Sequence, residues 1–207
     1  MAFFHKLLQH AETLKQFAKV QKDVREHPCP HLVKAILNAA HRAAESLRSI
    51  AGIDGPEISK EDFLRYEVLF SEFLYFYMHV TLRLARGQGF AFSEIEKLQN
   101  EVIPNIIEGT IGPVRHWPEE MKEKIKKEQY KNVNSAEFQY AHCDGVYPTN
   151  DPFAMGNSVY ATLARNIEQR LGKDHDPFLS LTIIKTASEK MGELEFPKLI
   201  TAIRTAL

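Results

Sequence analysis

The sequence predicts an all-α fold, a single domain of about seven helices around one buried, aromatic-rich helix. Three observations carry this. Helix caps, first-position prolines and terminal glycines recur along the chain, while alternating strand patterns are scarce. The stretch 65–86, RYEVLFSEFLYFYMHVTLRLAR, is apolar on most faces, as a helix with neighbours on several sides must be. A chain of 207 residues, 44% of them hydrophobic, is also long enough to bury one core without disulfides or metal.

A first helix is expected over about Ala2 to Glu26, with Phe3, Leu7, Leu14, Phe17 and Val24 as its apolar row. The prolines of HPCPH at 27–31 break it, since each lacks an N–H and disfavours helix in the preceding residue. A second helix follows from about Pro30 to Ala51. Its face of Leu32, Ile36, Ala39, Ala40, Ala43, Leu47 and Ile50 has small residues that let a neighbour approach closely. Ser59 and Asp62 then form a capping box in which Asp replaces the usual Glu, opening the central helix over 59–86. The GQG at 87–89 closes it.

Ser93 and Glu96 form the next capping box, and Pro104 is expected to stop or kink that helix. A thinly apolar helix should begin at Pro118 and cover PEEMKEKIKKEQYKN. The following NVNSAEFQYAHCDGVYPTND reads as irregular. With the loop before Pro118 it makes a lid-like segment at about 112–150. Asp151–Pro152 and Asp176–Pro177 each pair a capping Asp with a first-position Pro, and so open two further helices. FLSLTIIKTA at 178–187 should be deeply buried, and Gly192 and Pro197 set off a last short helix.

Charge is balanced, 26 Lys and Arg against 27 Asp and Glu, so no general attraction to nucleic acid is expected. Every stretch of 18 residues contains a charge or a His, so no membrane partner is expected either. The start of the chain lacks the apolar core of a secretory signal. Cys29 and Cys143 are therefore expected to be reduced thiols in a cytoplasm.

One row of the central helix is polar: Arg65, Glu72, His79 and Arg86, spaced by seven, with Arg83 one turn beyond His79. The simpler reading is a solvent edge or a satisfied internal ion-pair set. The sharper reading turns Glu72 and His79 into a cavity, where a carboxylate and an imidazole could bind a ligand or move a proton. Their separation along the axis, about 10.5 Å, opposes a shared metal ion, and the nearby arginines favour an anion. AHCDG at 141–145 adds His142 and Asp144 as residues that could close such a pocket. A nucleophilic Cys143 would need a distant base such as His79. His27, Cys29 and His31 resemble zinc ligands in type, but a fourth ligand is missing.

No phosphate loop, dinucleotide turn, HExxH, GxSxG or paired CxxC occurs. The sequence therefore favours a binding protein that acts through a small-ligand surface, a protein partner or a second copy of itself. The alternative is an enzyme, or a metal- or small-anion-binding protein. Its pocket would lie between helix 59–86 and segment 135–150, with Glu72, His79, Arg83, His142 and Asp144 as candidate residues and no cofactor specified.

Overall fold

The computed structural model describes residues 28–53, 59–111, 117–145, 157–173, 176–193 and 196–206. They form seven α-helices: α1 Pro28–Ser46, α2 Lys60–Gly87, α3 Phe92–Ile111, α4 Glu119–Ala141, α5 Val159–Arg170, α6 Pro177–Glu193 and α7 Phe196–Ala206. No strand occurs among the described residues beyond one isolated bridge, Gly145 to Ser158. None of the described helices is long and apolar enough to cross a membrane. The helix expected over 2–26 and the cap expected at Asp151–Pro152 lie outside the described residues.

Two helices form the axis. α2 packs against α1, α3, α4, α5 and α7, and α1 against α2, α3, α6 and α7. α1 fits this place because Leu32, Ile36, Ala39, Ala40, Ala43 and Leu47 are each at most 1% exposed. Four of its buried residues are alanines, which keep the flanking helices close. The helix runs from Pro28, two residues before the expected Pro30. First-turn N–H groups have no intrahelical partner, so prolines there cost nothing in hydrogen bonds.

The central aromatic helix is buried continuously from Glu72 to Leu82. Phe76 sits at its centre, edge-on to Tyr77 (5.1 Å between centroids), Tyr160 of α5 (4.8 Å) and Tyr140 of α4 (6.4 Å). Phe196 of α7 stacks on Tyr77 at 6.1 Å. Such edge-to-face and offset pairs add to burial and fix the orientation of the helices that bring them. The capping box forms as expected, with Ser59 Oγ accepting from the Asp62 N–H and Asp62 Oδ2 from the Ser59 N–H. Phe63 and Leu64, in the first turns of α2, are more than half exposed, whereas Tyr66 already meets His41 of α1 and continuous burial begins only at Glu72.

Three further boundaries differ from the sequence reading. α3 starts one residue before Ser93, and it is Glu94 that reaches back to accept from the Ala91 N–H. Pro104 does not stop α3. An interior proline costs about 3 kcal/mol. Burying Ile95, Leu98, Val102 and Ile106, at about 1.5–3 kcal/mol each, outweighs it. The helix expected from Pro118 does not end near Asn132, since α4 runs unbroken through 119–141 into the part of the lid read as irregular. Its last two turns bury only Val133, Ala136 and Tyr140, a stripe too narrow to stand out from the surrounding polar residues.

The later helices follow their caps. Asp176 Oδ1 accepts from the N–H groups of Phe178 and Leu179 and opens α6. Only one face of α6 is buried, through Leu179, Ile183 and Ala187, whereas Phe178 is 82% exposed. The apolar run 178–187 is therefore amphipathic rather than buried all round.

Burial also sets an alkaline limit. The Cys29 thiol, buried beside the Glu101 carboxylate, is pushed from 9.0 up to about 12, first by desolvation. Burial, then the Glu72 charge, raises the Tyr75 phenol from 10.0 to about 12. Both groups bind their protons more tightly when folded. The stability they supply is complete below the unfolded values and is lost as pH climbs towards 12. The melting temperature should hold from pH 7 to about 9 and then fall. Cys29→Ala should flatten the first part of that fall, and an unchanged alkaline profile in this variant would contradict the assignment.

Candidate functional site

The polar row of α2 divides into two kinds of residue. Its ends, Arg65 and Arg86, are exposed, while Glu72 (6%) and His79 (1%) are buried against α4 and α5. Glu72 receives both its partners from α5. Arg170 Nη1 donates to Oε1 at 2.6 Å, and Asn166 Nδ2 donates to Oε2 at 3.2 Å. Residues 166 and 170 are one helical turn apart, so both reach the same point on α2.

His79 is held between two partners. Arg83 Nε, which can only donate, lies 2.8 Å from His79 Nε2. Nε2 must therefore accept, and the ring proton sits on Nδ1, 3.1 Å from Glu137 Oε2 on α4. Tyr140 of α4 stacks on the ring at 5.3 Å. Arg83 also donates through Nη2 to the Tyr140 carbonyl at 2.9 Å and the Cys143 carbonyl at 2.7 Å. These lie at the C-terminal end of α4, where carbonyls lack intrahelical partners and a cation is favoured. Arg83 thus caps α4 rather than waiting for an anion.

The five candidate residues are only partly brought together. Glu72, His79 and Arg83 form the buried contact surface for α4 and α5. Between helix 59–86 and the described part of segment 135–150, Glu137, Tyr140 and Cys143 make direct contact with His79 and Arg83. Asp144 is exposed and ties down the chain through its backbone N–H, which donates to the Asn157 carbonyl at 2.8 Å. His142 is exposed on the outer side, its Nδ1–H donating to the Phe138 carbonyl at 2.6 Å. The Cys143 thiol contacts Thr162 Oγ1 (3.2 Å) and the Gln139 carbonyl (3.8 Å), and meets no base among the described residues. Among the described residues, no three His, Cys, Asp or Glu side chains are grouped to hold a metal ion. His27 of the HPCPH cluster lies outside them.

An open cleft of about 360 Å³ lies where the last turn of α4 meets α5. Phe138, Gln139 and His142 form one wall, and Thr162, Arg165, Asn166 and Gln169 the other. The second wall follows from spacing, since 162, 165, 166 and 169 share one face of α5. A larger hollow of about 810 Å³ runs along the start of α4. Its described lining comes from that one helix, mostly alternating Glu and Lys, so it converges no set of side chains.

The cleft is wired to the buried row. Glu72 can only accept, so the Asn166 amide must turn its NH2 group inward. The same Nδ2 donates to Gln139 Oε1 at 3.1 Å, which leaves the Gln139 NH2 group for the cleft. Behind this relay lies the Tyr140 phenol. Burial, then the Glu72 charge, raises its pKa well above the ordinary value, so it stays protonated. Its hydroxyl oxygen is fully buried, beside the Asn166 amide.

Sequence reasoning missed Glu137, Gln139, Asn166 and Arg170. The first two fell in the segment read as irregular. The last two carried a signal, an Asn and an Arg four apart on a helix whose other face is apolar. The chain matches no protein-family model, no curated protein and no solved structure.

The Glu72–Arg170 pair is lopsided: Glu72 is 8% exposed at its side chain and Arg170 48%. Arg170→Met strands a buried carboxylate. It should cost about 2 kcal/mol in urea unfolding, less than the ~3–5 of a fully buried pair because Arg170 is half solvated. Glu72→Gln leaves a neutral amide and an arginine that water can reach, so it should cost less. The reverse order would show that the carboxylate is not the buried partner.

Proposed function

We propose that this chain is a non-catalytic binding protein that takes a small polar molecule in the cleft between the end of α4 and α5. The observation that carries the reading is the convergence of side chains from two helices on one cleft, with amide orientations set from behind by the buried Glu72. Its size is at the small end of ligand sites. Proton transfer by Glu72 and His79 is left out of this reading, because both direct their polar atoms to neighbouring helices. A cytoplasmic setting fits two buried, unbridged cysteines.

A second surface supports a protein partner or a second copy. Phe178 and Leu181, three residues apart on α6, are 82% and 39% exposed. Single exposed apolar residues are ordinary on protein surfaces, so this reading ranks below the cleft.

The test is a fragment screen by protein-observed NMR. Hits should shift the amides of 138–142, 157 and 162–169 together. Gln169→Trp, at an exposed position on the cleft wall, should abolish them while the fold is kept. Hits that map elsewhere, or that survive this substitution, would refute the cleft as the binding site.

A further inference from the structure

We infer that the cleft selects a small aromatic molecule bearing an oxyanion, a carboxylate or a phosphate, with Arg165 as the anion's partner and Phe138 as the ring's. This rests on the cleft being the ligand site, and it adds the chemical class. Three features converge on it.

First, the cleft carries one full positive charge and no negative one. Among its lining residues only Arg165 is permanently ionised. Its Nη2 donates to the neutral Thr162 Oγ1 at 3.2 Å, and no carboxylate pairs with it among the described residues. Two of the acidic residues nearby are already engaged, Glu72 with Arg170 and Asn166, and Glu137 with His79. A guanidinium presents up to five donors in a fork that fits a planar or tetrahedral oxyanion.

Second, the amide relay adds donors on the opposite wall. With Asn166 turned to Glu72 and Gln139 Oε1 turned to Asn166, the Gln139 NH2 group projects two N–H bonds that no described partner takes up. Arg165 and Gln139 stand on facing walls, so an oxygen-rich group between them meets donors from both sides.

Third, Phe138 is 69% exposed although it stands on a helix packed to the core by Tyr140 two residues later. The His142 ring lies 4.5 Å from it, tilted by 56°, and is held there by the Nδ1 bond to the Phe138 carbonyl. The two rings make a braced apolar edge on the α4 wall, where an aromatic ligand can stack or pack edge-on.

The experiment uses the full chain and four probes followed by NMR titration: benzoate, phenyl phosphate, benzamide and inorganic phosphate. Benzoate and phenyl phosphate should bind saturably, shifting the Arg165 side-chain Nε–H and the Phe138 ring signals. Benzamide, which lacks the charge, and inorganic phosphate, which lacks the ring, should each bind at least ten-fold more weakly than the matching aromatic anion. Arg165→Met should weaken both aromatic anions about ten-fold, and Phe138→Ala several-fold. Both residues are exposed, so neither change threatens folding. Benzamide binding as well as benzoate, or an unaffected Arg165→Met, would overturn the oxyanion class and leave the cleft reading intact. Inorganic phosphate binding as tightly as phenyl phosphate would overturn the aromatic half. If no probe binds while library fragments still map to the cleft, the chemical class falls alone. If probes shift residues outside the cleft, both readings fall together.

Discussion

A carboxylate taken into a protein interior must find donors, and Glu72 finds two on a single helix. Arg170 and Asn166 bring α5 onto α2, and seven residues further on His79 does the same for α4 through Glu137. The third polar residue, Arg83, fixes His79 from below and closes the end of α4 through two carbonyls. The interaction on which the arrangement depends is thus a strip of hydrogen-bonded charge along one face of an otherwise apolar helix. Each member alone would be costly to bury. Together they leave few open positions, and they specify which helix lies where, a role that uniform aliphatic packing fills less well.

The strip matters most for α4. This helix has little apolar surface to bury, and much of its length is Glu and Lys facing water. Its anchoring to α2 combines Tyr140, stacked on His79 and edge-on to Phe76, with the His79–Glu137 hydrogen bond and the Arg83 cap. α5 and α6, by contrast, join through the more ordinary burial of Leu163, Ile167, Leu179 and Ile183, with a further buried carboxylate, Glu168, accepting from Ser180. The cleft lies at the seam between the polar and the apolar modes of attachment. Two of its residues, Asn166 and Gln139, connect it to the buried Glu72.

Much of the fold was legible because it is written in short-range terms. The capping box at Ser59, the Asp176–Pro177 start and the alanine face of α1 all act within a turn or two, and all formed as the residues imply. One local reading failed, the box at Ser93, whose place Glu94 takes by reaching back to Ala91; the other failures were long-range. Pro104 sits in a helix because four buried side chains outweigh one missing donor, and no local rule contains that comparison. The segment 133–141 has a weak pattern of its own and is helical through partners on α2 that are more than fifty residues away. The same blindness hid half of the site. Glu72 and His79 stood out as polar residues in an apolar helix, but their partners are unremarkable in sequence, and only the fold shows that the pair faces other helices rather than a cavity.

The strip makes one demand that can be read directly. With Arg83 donating to Nε2, the His79 ring has to carry its proton on Nδ1, facing Glu137. Long-range ¹⁵N–¹H correlation of the imidazole distinguishes the two tautomers by their coupling patterns. The account predicts a single Nδ1–H form for His79, converting to a mixture when Arg83 is replaced by Met. A predominant Nε2–H form in the unmodified protein would contradict it, since Arg83 and His79 would then be two donors facing each other.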